Sequence, residues 1–304
     1  MKSWLKALSA TGAFGIFSSY TINSDKQFLK FACSSVTAQV LSDVMFHPIV
    51  LVNSNTKYNF KNKVKTYETV KRVYNNYGLK GFYRGVNVVV FASCIYGLSY
   101  YTIYKKVKEN IIKYFEGDQN KNIIAYAVAT IIAELILVIT YPFDMITTRI
   151  LSFSVNYKNL TDGLSKIVDH TSIFKSIRNL YTGIIPTYVL YSCNSVVFFV
   201  SFEMFRDFMA KRKGILSEQV SGWDYFYTCC FTGIVSGLLT NSLEVYAIQK
   251  QVHGDNITRS LFFNSEFLFS MTSGISARMF YTMFYTIVLL ENLHIFGTFF
   301  GVRL

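Results

Sequence analysis

Tyr141-Pro142-Phe143-Asp144-Met145-Ile146-Thr147-Thr148-Arg149 is the stretch whose reading decides the fold. A proline stands inside an apolar run, an acid follows two positions later, and a cation closes the segment. The run that leads into it, Ile123–Phe143, carries one acid, Glu134. It exceeds the roughly 18 residues that mark a membrane-spanning helix. An acid at that depth faces a bundle interior or a wet cavity rather than lipid. The nonapeptide therefore marks the end of a span that belongs to a helical bundle.

The same landmark recurs on either side. His47-Pro48-Ile49-Val50 lies 94 residues earlier, and Asn241-Ser242-Leu243-Glu244 lies 100 residues later. A second landmark, a glycine opening the next span, recurs in step: Phe82-Tyr83-Arg84-Gly85, Leu180-Tyr181-Thr182-Gly183 and Ser273-Gly274, at spacings of 98 and 91 residues. Three copies of a two-span unit fill most of the chain. Val86–Tyr104, Ile184–Phe202 and Tyr225–Leu243 join Ile123–Phe143 as strong apolar windows, and Phe28–Val52 and Met279–Phe300 are weaker ones. Six spans are expected. The first carries Ser34, Ser35, Thr37, Gln39, Ser42 and Asp43. Such a polar stripe fits a polar centre, or helix–helix contacts through Ser and Thr.

Composition agrees. Of 304 residues, 51% are hydrophobic, 17% aromatic and 16% charged, which excludes a disordered chain. The formal charge of +12 and the aromatic content would suit a nucleic-acid binder, but the apolar runs are too long for a soluble core, and no nucleic-acid partner is expected. Three prolines favour long helices. Five cysteines without a C-x-x-C pair read as buried thiols. Tyr67, Val70, Val73 and Tyr74 fall at helical spacing between the first two spans and predict a helix along the membrane interface. Residues 53–85 hold eight Lys/Arg and one Glu, placing that loop on the matrix or cytoplasm-equivalent side.

With three such repeats in register, the chain resembles the mitochondrial carrier family. The resemblance implies an all-α membrane protein: six transmembrane helices in three tandem repeats of about 100 residues, forming a barrel of pseudo-three-fold symmetry in the mitochondrial inner membrane. The boundaries are an N-terminal extension 1–26 and repeats 27–116, 117–214 and 215–304. The extension reads as a targeting-like stretch or a docking arm. The family exchanges metabolites by alternating access, closing a matrix and a cytoplasmic gate in turn.

Several positions depart from the family pattern. Its matrix gate places an acid two residues and a cation five residues after each proline. Those slots here read Val50/Asn53, Asp144/Thr147 and Glu244/Ala247, leaving Pro48, Pro142, Asp144 and Glu244 as remnants. Without slot cations no ion pair of the family type between repeats is expected, and Arg149 stands as a substitute partner for Asp144 or as an interface anchor. The cytoplasmic gate is whole only at Glu203/Arg206; Lys105 and Lys108 mark it in the first repeat, with a cation where the acid belongs. The family's substrate-contact slots hold Ala92/Ser93, Leu190/Tyr191 and Tyr281/Thr282, with no charge and with further tyrosines nearby. They fit a cavity for a neutral or flat solute, or a centre plugged by packed rings. Arg84, Gly85, Gly163 and Gly183 resemble pieces that hold cardiolipin, expected as a structural lipid; no other cofactor is expected.

No catalytic motif or paired histidine occurs, so neither an enzyme nor a metal site is expected. Two functions remain. The eroded gates point to a transport-impaired accessory subunit of a larger inner-membrane assembly such as a respiratory complex. The alternative is an active carrier of a neutral or aromatic small metabolite.

Overall fold

Pro142 removes a backbone N–H from mid-helix and frees the carbonyl four residues earlier. The computed structural model describes residues 27–59, 64–114, 127–154, 160–167, 172–220, 222–254 and 272–300. In it the freed Val138 carbonyl accepts the Tyr181 hydroxyl at 3.0 Å. The Tyr141 hydroxyl donates in turn to the Thr182 carbonyl. The helix runs through its proline, and both bonds fasten it to the turn that opens the next span. Pro48 also lies inside a helix.

Every regular element among the described residues is helical. In order they are α1 (Gln27–Tyr58), α2 (Thr66–Tyr77), α3 (Val86–Tyr114), α4 (Ala127–Leu151, tightened to a 3-10 turn at Glu134–Ile136), α5 (Leu160–Ile167), α6 (Ile173–Leu180), α7 (Ile184–Lys213), α8 (Trp223–His253) and α9 (Ile275–Phe300). Four stretches are long and apolar enough to cross a membrane: Cys33–Tyr58, Leu79–Tyr100, Ala127–Leu151 and Ile173–Lys213. Helices α8 and α9, with 31 and 26 residues, are also long enough to span. The N-terminal extension lies outside the described residues.

The six long helices form a closed ring. Helix α1 packs on α3, α3 on α4, α7 on α8, α8 on α9, and α9 returns to α1; α4 meets α7 more sparingly. The odd helices α1, α4 and α8 also touch one another, because their C-terminal ends converge. Small residues let neighbours approach. A Cβ on Gly233 would lie 2.4 Å from the Met283 Cα, and the Gly233 carbonyl accepts the Thr282 hydroxyl at 2.6 Å. Ala129 and Ala133 are fully buried on α4.

Each even span opens from a glycine with positive φ: Gly85 at 80°, Gly183 at 84° and Gly274 at 66°. The chain reverses sharply there, which explains why the landmark is glycine in all three copies. Helix α2 appears at the expected spacing. Val73 packs against Leu51 and Leu151 at the converging ends of α1 and α4, while Tyr67 and Tyr74 stay exposed.

Candidate functional site

Convergence of the odd helices at one end leaves space at the centre of the ring. That space is a cavity of about 390 Å³, and Ala92, Ser93, Leu190, Tyr191, Tyr281 and Thr282 all line it. The six slot residues are thus brought together on the inner walls of α3, α7 and α9. The plugged centre is not found. Tyr96 and Tyr100 stack at 4.9 Å and Tyr104 on Phe199 at 4.9 Å, so the rings pack along the walls and leave the middle open.

The walls are also more charged than the slots alone implied. Asp43, Glu134, Asp144 and Glu244 all face the cavity, as does Arg278. Asp43 accepts from Ser93 at 2.5 Å, Tyr285 at 2.8 Å and Gln39 at 2.9 Å. Glu134, at the 3-10 turn of α4, accepts from Ser195 at 2.5 Å and Tyr96 at 3.2 Å. Asp144 accepts from Tyr191 at 2.7 Å. Arg149 does not reach Asp144; its Nε donates to the Gln251 carbonyl at 3.1 Å. A cation at that carbonyl, in the last turn of α8, also complements the helix dipole.

No slot residue pairs with Glu244 as a cation, but cations outside the slots do. Glu244 forms salt bridges with Lys57 of α1 and Arg278 of α9, and Asn53 donates to it at 3.2 Å. The slot residue Asn53 does face the acid of the third repeat, but as a neutral donor. The charge comes from Lys57, one helical turn further and so on the same face of α1. Lys57 is fully buried and Arg278 is 6% exposed, so the two cations of this cluster are largely shielded from solvent.

Below it lies a second closure that sequence reasoning missed. Asn55 of α1 donates to the Ser152 carbonyl at the end of α4 at 2.9 Å. Arg149 of α4 donates to Gln251 of α8, as above. Gln249 of α8 donates to the Lys57 and Tyr58 carbonyls of α1 at 2.8 and 3.0 Å. The donors stand seven residues after Pro48, Pro142 and Ser242. Each odd helix thus caps the unsatisfied terminal carbonyls of the next, in a three-membered cycle. The signal was present: a polar long or amide side chain at one fixed offset in all three repeats.

The opposite end carries no such closure among the described residues. Glu203 and Arg206 pair within α7, and the guanidinium lies over the Phe202 ring at 5.6 Å. Lys105 and Lys108 lie on α3, with side chains outside the described residues. Of the lipid candidates, the Arg84 guanidinium lies 4.7 Å over Phe153 and 5.9 Å over Tyr77. Gly85 and Gly183 precede α3 and α7, and Gly163 lies within α5. Among the described residues no cluster of three His, Cys, Asp or Glu is placed to hold a metal.

Residues 24–115 and 119–213 match the family model described as mitochondrial carrier protein. Among curated proteins the chain is similar to nicotinamide adenine dinucleotide transporter 2, mitochondrial, of Arabidopsis thaliana: 24% identical, over 61% of this chain and 51% of that protein. It is similar to mitoferrin of Dictyostelium discoideum, 24% identical over 64% of this chain and 62% of that one. It is similar to solute carrier family 25 member 44 of Homo sapiens, 21% identical over 82% and 84%. The matches to the first two span about half to three-fifths of those proteins' length.

Proposed function

The chain belongs to the mitochondrial carrier family, and on that premise we propose that it carries a small solute across the mitochondrial inner membrane by alternating access. The observation that carries this reading is a central cavity closed at one end by a breakable contact, Glu244 with Lys57, between the first and third repeats. A gate must hold without substrate and yield with it. An ion pair backed by carbonyl caps meets both needs, since its energy is only a few kcal/mol. The loop-charge asymmetry assigns this closed end to the matrix side.

The accessory-subunit role drew its support from the eroded gate motifs and the uncharged contact slots. The open cavity and the Lys57–Glu244 pair favour transport instead. Cardiolipin remains part of the proposal, its phosphates taken at the helix N-termini that follow Gly85 and Gly183.

The test is exchange by the purified chain in liposomes across a panel of anionic, neutral and cationic solutes. Saturable exchange of any member, altered by Lys57→Gln, supports the reading. No exchange of any solute, together with stoichiometric co-purification with a large membrane complex, restores the accessory role.

A further inference from the structure

We infer that the cavity takes a compact organic cation, an ammonium or guanidinium compound; this deepens the carrier reading and rests on it. The charge balance of the walls comes first. Four carboxylates face the space, and of these Glu244 alone has cationic partners among the described residues. Asp43, Glu134 and Asp144 are held by hydroxyls and one amide. They stand on α1 and α4. Neutral donors orient a carboxylate but leave its charge uncompensated, and a buried charge calls for a counter-charge.

The unpaired groups on the same walls carry the argument further. Asn53 Oδ1 and Thr140 Oγ1 make no hydrogen bond within the protein, although these residues are only 1% and 3% exposed and both line the cavity. The amide oxygen only accepts and calls for an N–H or O–H donor, while the hydroxyl can accept or donate. Arg278 Nε and the Thr147 hydroxyl on the same wall also make no hydrogen bond; the Arg278 guanidinium is otherwise committed to Glu244, Thr240 and Asn194.

The remaining wall is aromatic. Tyr96, Tyr100, Phe199 and Tyr281 line it, and aromatic rings attract ammonium and guanidinium groups as well as apolar stems. A bare metal ion is disfavoured because no three ligand side chains converge among the described residues. A volume of about 390 Å³ suits a molecule with a short carbon chain.

The experiment uses the full chain in liposomes and in detergent. Putrescine and agmatine are the cationic probes, with leucine, succinate and ADP beside them. Expected are saturable exchange of at least one cation and a rise in thermal midpoint with it. Asp43→Asn and Asp144→Asn, which keep size and hydrogen bonding, are expected to lose roughly tenfold to a hundredfold in cation exchange. Their thermal midpoints without solute should stay near that of the unaltered chain, which separates lost recognition from lost fold. Exchange of succinate, ADP or leucine without either cation overturns the inference and leaves the carrier reading standing. Failure of every solute to exchange overturns both.

Discussion

Glu244→Gln is the sharpest perturbation of the matrix-side closure. The substitution preserves shape and leaves Lys57 and Arg278, both buried, facing each other across a neutral amide. Removing one member of a buried charged cluster costs about 3–5 kcal/mol, because the survivors stay out of water without compensation. Lys57→Met acts differently. Glu244 keeps Arg278 and Asn53, so the loss is one charged hydrogen bond, about 2 kcal/mol. At roughly 2–4 °C per kcal/mol, Glu244→Gln should lower the thermal midpoint by about 10 °C and Lys57→Met by about half that. The double variant should recover part of the Glu244→Gln loss, since one of the two repelling cations is gone. Thermal unfolding in mild detergent reads all three. The reasoning is refuted if Lys57→Met costs more than Glu244→Gln, or if the double variant shows the simple sum.

Two further perturbations test the packing. Gly233→Ala puts a methyl 2.4 Å from the Met283 Cα, so α8 and α9 must separate. A loss of about 3 kcal/mol is expected by denaturant titration, and an unchanged midpoint would disprove the close approach. Tyr181→Phe takes the donor from the Val138 carbonyl that Pro142 leaves free. It should cost about 1 kcal/mol, and Pro142→Ala, which restores the helical bond, should suppress that cost in the double variant.

Long apolar windows and step-repeated landmarks made the ring of helices legible. Gly85, Gly183 and Gly274 could be found because only glycine takes their positive φ cheaply, so the backbone itself writes the residue. The contact slots were legible through fixed offsets from those glycines. Charge pairing was not. Lys57 lies one turn beyond the slot that was read, and Arg278 lies four residues after Gly274, where positions seven and eight were searched. A salt bridge needs only that two long side chains reach one point, and their reach exceeds a helical turn. Asp43 and Glu134 were visible as polar residues in apolar spans. That they face one shared cavity with Asp144 depends on how six helices are rotated, which a one-dimensional period does not record.

Closure of α9 upon α1 bears on how the molecule is made. Gln39 meets Tyr285 across 246 residues of sequence and Ser42 meets Asn292 across 250. Until the last helix arrives, Gln39 and Ser42 of the first lack these partners, and polar groups without partners at membrane depth are costly. Assembly therefore waits for the entire polypeptide, and contacts of such sequence separation form slowly. A premature stop anywhere before α9 yields the same defect as one near the middle: an unfilled gap in the ring with a hydrophilic stripe on view.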